Sequence, residues 1–519
     1  MAKYKHYSYE QHIMIPVNLH KQVFPGTFEY TLNTLIDEKI DLSIFNDRYI
    51  NDKDGASAYD PRILLKIILF AYSMGIVSSR KIEELCRENI VCIALAADAR
   101  PHFTTIANFI STMDEECIIL FTKILAICYA QNLIGKDMFA VDGCKLSSNC
   151  SKEWSGTKSD FMRKVAKIRK SVEYLVSRHR EMDNQAIPEK DLKKEQKAIK
   201  VLNAKVDKIT HWLDEHEDKI GASGKPIKSN ITDNESAKMA TSHGVIQGYN
   251  GIAAVDNKHQ VILYAEAFGD INEAGHLPEV LDKVEAMCKA AGVDEDIYNS
   301  GVKVTADSGY HSEDGLQKID DKLIDAYIAD KQFRQRDVRF SEAAKYKNKT
   351  ADWQPEVRKK YYSPTDFVFD EANGMLKCPA GHPMWLRCAN FKANSGKHTG
   401  KAYMGHVENC TACPQRSQCI RKDTTKARQV VILDKGENAP KINHTARMKE
   451  KFDTPEGRSI YSQRMGTVEP VFGHIAGTKK LNRFSLRGKK KVNIQWLLFC
   501  IVHNISKLMA FAPLEYAGI

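Results

Sequence analysis

The chain has 519 residues, 43% of them apolar and 27% charged, with a formal net charge of +10. It is long enough for more than one domain and has the composition of a soluble globular protein; the positive balance favours a polyanionic partner. Residues 1–11 are polar and aromatic, without the apolar stretch of a secretory leader. The apolar runs 63–76, interrupted by Lys66, and 494–501 are too short to span a bilayer. No membrane partner and a cytoplasmic location are therefore expected, and in that setting thirteen cysteines argue for thiols or metal rather than disulfides.

Residues 1–135 read as a helical domain. Asp60 is an N-cap with Pro61 at the first helical position, leading into a helix over 62–74 that Gly75 stops. Ser78 and Ser79 can cap the next helix, 80–88, and a third amphipathic segment follows Thr104 and Thr105 past Phe109. Strand-sized pieces come next. Residues 138–142 form the first; 248–255 and 260–267 form a hairpin around Asp256-Asn257-Lys258-His259. A helix over 277–291 precedes strands at 302–306 and 325–329.

Two insertions interrupt this pattern. Within 151–230, Phe161, Val165, Ile168, Val172 and Leu175 recur at spacings of four and three. Leu192, Ile199, Leu202, Val206, Ile209 and Leu213 recur in the same way beyond the Pro188 turn. Such arms make an antiparallel helical hairpin with a coiled-coil seam, either a DNA or protomer contact or simply a solvated arm. The second insertion, 331–435, carries five cysteines. Cys410, Cys413 and Cys419 cluster closely, and Cys378 lies on a Cys-Pro-Ala-Gly turn that can present a fourth thiolate. Four thiolates suit a structural Zn²⁺, with Cys388 and His382 as competing ligands and reduced free thiols as the alternative.

Three acidic residues stand in settings that suit metal chemistry. Asp142 ends an apolar run and precedes Gly143; Asp307 closes another and opens Ser308-Gly309-Tyr310-His311; Glu469 lies in Val468-Glu469-Pro470-Val471-Phe472-Gly473. Carboxylates at strand ends with Gly close behind are how a sheet edge offers hard oxygens to Mg²⁺. Glu235, Glu273 and Glu313 also lie near core elements, but Glu469 has the better local setting: Gly466 and Thr467 can end one helix and cap another, with Glu469 and Pro470 in its first turn. Just beyond, Lys479, Lys480, Arg483, Arg487, Lys489, Lys490 and Lys491 are uninterrupted by any acid. They form either a DNA-binding tail or a solvated basic face.

The segments Ala140-Val141-Asp142-Gly143, Ile246-Gln247-Gly248-Tyr249-Asn250, Ala306-Asp307-Ser308-Gly309-Tyr310-His311 and Val468-Glu469-Pro470-Val471-Phe472-Gly473, in that order, resemble a DDE transposase of a bacterial insertion sequence. The resemblance implies an α/β fold: an RNase H-like mixed sheet flanked by helices, split between 136–330 and 436–519, with 1–135 helping to recognise transposon ends. It implies metal-dependent cleavage at those ends and strand transfer into target DNA, with a homodimer assembled on double-stranded DNA at the bacterial nucleoid. Asp142 would bridge two Mg²⁺ ions (Mn²⁺ substituting), Asp307 holding one and Glu469 the other. Tyr461 and Arg464 match the first members of a Tyr-Arg-Glu-Lys signature and suit stacking and phosphate contact. Four residues rather than three separate Arg464 from Glu469, and Ala476 stands where the Lys belongs, leaving Lys479 or Lys480 to replace it. Asn250 and His311 are supporting candidates, and Lys145 could neutralise phosphate charge. A catalytically silent DNA-binding regulator is the alternative.

Overall fold

A computed structural model describes residues 18–48, 57–182, 189–221, 224–241, 244–270, 273–337, 340, 361–370, 374–393, 398–433 and 443–512. The polar stretch 1–11, the Pro188 turn and the side chain of Leu192 lie outside the described residues. Two compact units form: Met1–Lys331 with His444–Ile519, and Gln332–Asn443.

The first unit opens with six helices: α1 (Phe28–Thr34), α2 (Pro61–Ser73), α3 (Ser79–Glu88), α4 (Ile90–Leu95), α5 (Phe103–Thr112) and α6 (Asp114–Ala130). The α2 signals hold as expected. Asp60 Oδ1 accepts the Arg62 N–H at 2.8 Å, and Gly75 ends the helix at φ +77°, which a side chain would disfavour. Every residue from Leu64 to Tyr72 is buried, so α2 is a central helix rather than an amphipathic one. Its Lys66 is accommodated by Asp37 at 2.9 Å and Asn33 at 3.0 Å. Ser78 holds the N-cap position of α3, but its hydroxyl makes no capping bond.

The sheet contains β1 (Met138–Ser147), β2 (Ala237–Thr241), β3 (Gly244–Asp256), β4 (Ile262–Phe268), β5 (Lys303–Ala306) and β6 (Asp325–Ile328). Its order is β6-β5-β1-β3, and the far side of β3 carries β4 along one half and β2 along the other. β1 and β3 are antiparallel, whereas β1, β5 and β6 are parallel. This is the expected RNase H-like sheet with one additional strand. Three elements are longer than their sequence signals: β1 runs five residues past Asp142, β3 starts four residues early, and β2 was not anticipated.

Helices α7 (Lys158–Met182) and α8 (Glu189–Glu215) form the hairpin arm. Phe161, Val165, Val206, Ile209 and Trp212 are buried at its base, with Ile168 and Leu213 packed against them. The sheet is flanked by α9 (Leu277–Ala290), α10 (Glu313–Asp321), α11 (His444–Asp453), α12 (Pro455–Gly473) and α13 (Lys489–Phe511). By length and composition α13 could cross a membrane, but 78% of its most apolar window is buried inside the molecule. It is the core helix, packed on α2, α6 and β4.

Two asparagines on α13 explain how it covers the sheet edge. They are eleven residues apart, close to three full turns, and so share a face. The Asn504 amide exchanges hydrogen bonds with Ile262 N–H and C=O, both at 2.9 Å. Asn493 does the same with Ala267, at 2.7 and 3.2 Å. Side-chain amides thus replace the neighbouring strand that β4 lacks on this side.

The second unit is an antiparallel sheet of five strands in chain order: β7 (Val368–Asp370), β8 (Met375–Lys377), β9 (Pro383–Ala393), β10 (His398–Gly405) and β11 (Gln429–Leu433). Its apolar core is small, built on Phe367, Leu376, Met384, Tyr403 and Val430.

Candidate active site

Backbone register brings Asp142 and Asp307 together. Val141 lies opposite Ala306 in the parallel β1–β5 pair, so the next residue on each strand is an aspartate. β5 stops there. Asp307 turns the chain, its Oδ1 accepting Gly309 N–H at 2.6 Å and its carbonyl accepting Tyr310 N–H at 3.2 Å.

Helix α12 supplies the cation. Arg464 Nη1 donates to Asp142 Oδ2 at 2.5 Å, and Gly143 N–H donates to Asp142 Oδ1 at 2.8 Å. The Arg464 guanidinium lies 5.5 Å from the Tyr461 ring centre, and that ring packs edge-on against Phe452. Burial pushes the Asp142 carboxyl above the usual carboxylate range; Arg464 and the Gly143 N–H pull it down, and the charge of Asp307 adds to the rise. Burial also disfavours the Arg464 charge, but there Asp142, Tyr461 and Asp307 more than compensate. Burial pushes the Tyr461 phenol up as well. Four of the expected residues, Asp142, Asp307, Tyr461 and Arg464, therefore share one electrostatic site.

Glu469 stands differently from expectation. Gly466 does not break the helix: α12 runs unbroken from Pro455 to Gly473 with Pro470 inside it. Pro470 has no N–H for the Gly466 carbonyl, and Gln260 Nε2 donates to that oxygen instead, at 2.9 Å. The missing helical bond is thus replaced from the β3–β4 turn, a partner that local sequence does not reveal. Glu469 is exposed, and among the described residues no hydrogen bond or ion pair joins it to either aspartate. Two of the competing acids are engaged elsewhere. Glu235 accepts Lys489 N–H at 2.6 Å and Glu313 accepts the N–H groups of His444 and Thr445; the side chain of Glu273 lies outside the described residues.

Asn250, on β3, lies beside Gly143. It is 2% exposed, and a Cβ on Gly143 would come within 2.6 Å of its Oδ1, so any larger residue beside Asp142 would displace the Asn250 amide. His311 is half-buried, with its pKa lowered by burial; the charges around it are those of Asp330, Glu313 and Lys449 rather than the aspartate pair. Lys145 lies three residues past Asp142, and strand alternation puts it on the opposite face of β1.

The basic run is less open than its composition suggests. Lys479 is buried, with Nζ 5.3 Å from the Phe28 ring centre. Arg483 and Arg487 donate to the carbonyls of Ser148 and Asn149 at 3.0 and 2.6 Å. Lys489 pairs with Glu266 at 3.0 Å and Lys490 with Asp114 at 2.8 Å. These five cations stitch the segment to the end of β1, to β4 and to the helical layer. Lys480 and Lys491 are exposed and have no such partner among the described residues.

In the second unit Cys378, Cys410, Cys413 and Cys419 line one cavity, together with His382 and His406. Cys378 sits on a tight turn closed by Gly381 N–H to its carbonyl at 2.8 Å, as expected. Burial pushes the Cys419 thiol up, and the other three thiols add to the rise. Cys388, on β9 opposite Ala402, does not line this cavity; His406 does, though sequence spacing gave no sign of it. Among the described residues no three His, Cys, Asp or Glu side chains are gathered so as to hold a metal ion, in either unit.

An RNase H-like sheet with paired aspartates on neighbouring parallel strands is the core of the DDE class of nucleases and transposases. Two family models match the chain: a transposase DDE domain over residues 377–509 and a transposase domain (DUF772) over residues 17–112. Both matches are to transposase families, and together they support a DDE transposase of an insertion-sequence type. No curated protein matches it significantly.

Proposed function

We propose that the chain cleaves DNA at transposon ends and joins the freed ends to target DNA, using one site built on Asp142, Asp307 and Glu469. The observation that carries this reading is the pair of aspartates side by side at the ends of adjacent parallel strands, one of them half-buried and held against a buried cation. Two carboxylates crowded in a poorly solvated site disfavour each other's charge, and a cation relieves both. Their hard oxygens fit Mg²⁺, with Mn²⁺ as a substitute. When bound, two such ions lower the pKa of the attacking water or 3′-hydroxyl and stabilise the departing oxygen. Asp142 and Asp307 would hold them from the sheet, and Glu469 would supply a third carboxylate from α12. Tyr461 offers a ring to an unpaired base at the DNA end.

Incubating the protein with DNA carrying paired terminal repeats and Mg²⁺ tests this reading. Nicked ends and joined products are expected. Duplex that is bound yet left intact at every Mg²⁺ or Mn²⁺ concentration would identify a DNA-binding regulator instead. The active form is a homodimer on two DNA ends, in the cytoplasm at the nucleoid.

Lys480 and Lys491 are the members of the basic run available for phosphates. Replacing both by Ala is expected to weaken binding to all duplexes alike. The log–log salt dependence should become shallower by about two units, at roughly −0.9 per phosphate neutralised. Lys489→Ala and Lys490→Ala, which remove cations already paired with Glu266 and Asp114, should change it less. A salt titration of the four proteins reads this directly; equal slopes throughout would make the run a purely structural stitch.

The four cavity cysteines hold one structural Zn²⁺ in this reading. Thiolates around one cavity suit that ion, and a unit with so small an apolar core gains most from a metal staple. Cys413→Ser is expected to release the metal and to make residues 332–443 more susceptible to proteolysis. Purified protein without zinc by elemental analysis would remove this proposal.

A further inference from the structure

Both carboxylate oxygens of Asp142 are already taken in the DNA-free chain. Oδ2 accepts from Arg464 and Oδ1 from the Gly143 N–H. The Gly143 contact is local and geometrically mild for a carboxylate that also binds a metal. The Arg464 contact is not, because a guanidinium at 2.5 Å occupies the direction from which an ion would approach and repels it. Arg464 itself is 9% exposed, and its Nε is buried without a hydrogen-bond partner. Its contact with Asp142 runs through Nη1 alone rather than through a two-pronged fork. A buried guanidinium does not leave its counter-ion for empty space, since an unpaired buried charge is strongly disfavoured. It needs a second anion, and the anion that docks at a DNA-processing site is a phosphate, whose oxygens match the guanidinium fork.

We propose that Arg464 is a latch, pairing with Asp142 in the free protein and passing to a DNA phosphate when duplex docks, so that Asp142 Oδ2 opens to metal only on DNA. The proposal rests on the reading of Asp142 as a metal ligand. It makes DNA and metal binding mutually reinforcing, by the same factor in each direction. It also explains why the aspartate pair is assembled on the sheet while, among the described residues, no full set of metal donors is gathered around it. The protein is thereby kept from loading its ions, and from hydrolysing stray DNA, until an end is in place.

Two measurements without turnover test the latch. In EDTA, Asp142→Asn frees Arg464 and is expected to bind a short terminal-repeat duplex about tenfold more tightly than the unaltered chain. Asp307→Asn removes a neighbouring negative charge without opening the latch and should gain less. In an Arg464→Gln background the Asp142→Asn gain should vanish; an undiminished gain overturns the latch. If Arg464→Gln does not fold, Arg464→Lys replaces it. An ammonium cannot form the fork, and the gain should then fall by about threefold or more.

Calorimetric titration with Mn²⁺ alone is the second arm. The unaltered chain should bind Mn²⁺ about tenfold more tightly with the duplex present, and Arg464→Gln equally well with or without it. Equal Mn²⁺ affinity of the unaltered chain with and without DNA also overturns the latch. Failure of the underlying reading looks different: Asp142→Asn would then bind Mn²⁺ as the unaltered chain does, whatever the EDTA arm shows.

Discussion

Asp142→Ala and Asp307→Ala are each expected to bring DNA cleavage and strand transfer to background without loss of duplex binding, which for Asp142→Ala should tighten as Arg464 is freed. The two carboxylates are proposed to hold metal rather than DNA, so their loss removes chemistry before it removes affinity. A thousandfold loss corresponds to ~4 kcal/mol of barrier, at about 1.36 kcal/mol per tenfold. The two variants should differ in stability. Asp142→Ala strands the buried Arg464 without its counter-ion, and removing one partner of a buried pair costs about 3–5 kcal/mol. That figure is an upper bound, since the Asp142 side chain is 21% exposed. Among the described residues Asp307 has no ion-pair partner, so Asp307→Ala should melt close to the unaltered chain. Glu469→Ala should lose activity with no change in melting, because its side chain is exposed and bonded to nothing described. A cleavage assay with melting curves on the same preparations separates these outcomes. Full strand transfer by any one variant would remove that residue from the site.

Trp496→Ala is expected to be the most destabilising single change outside the site. Trp496 is completely buried on α13, its indole N–H donates to the Ile252 carbonyl at 3.2 Å, and its ring stacks on Phe472 at 6.4 Å. Truncation leaves a large cavity between the core helix, α12 and β3. Trp or Phe to Ala in such cores costs about 3–5 kcal/mol. A carbonyl left without its indole donor adds about 1–3 kcal/mol. For a unit of this size, at about 2.1 cal/mol/K of unfolding entropy per residue, the melting temperature should fall by about 5–9 °C. Trp496→Phe keeps most of the volume and loses the N–H, so its smaller shift isolates the hydrogen bond. A Trp496→Ala protein that melts within a degree or two of the unaltered chain would show that α13 is not the keystone of this core.

The sheet was legible because its strands are short, apolar and bounded by turn residues, and because Asp142 and Asp307 each end such a run. Register followed without being predicted: local pattern marks each strand, but only pairing puts Val141 beside Ala306. What the sequence hid depends on distant partners. Pro470 and Gly466 suggest a helix break to any local reading, and it takes Gln260, on a turn some two hundred residues earlier, to keep α12 whole. Arg464 was read as a phosphate contact because its anionic partner, Asp142, is 322 residues away in sequence. The basic run read as an open surface for the same reason, since Glu266, Asp114 and the carbonyls of Ser148 and Asn149 all come from elsewhere in the chain. Helix α13 was seen only as an apolar run too short for a bilayer. Its polar interruptions, Asn493, Gln495, His503 and Asn504, hid a helix of 23 residues, and two of these residues are the amides that cover β4.

The position of α13 in the chain sets an order on how this protein is born. Cys117 on α6 touches the backbone of Ile494 across 377 residues of sequence. A ribosome adding ~5–20 residues per second needs on the order of 20–75 s to travel that far. In the later part of that interval, once Asp307 has been made, the emerging polypeptide holds both aspartates while α2, α6 and the β4 edge still lack α13. Long-range closures of this kind are slow, and the open apolar faces are what chaperones and proteases recognise. A message broken before codon 489 therefore yields a fragment destined for degradation, not a half-active enzyme competing for DNA ends.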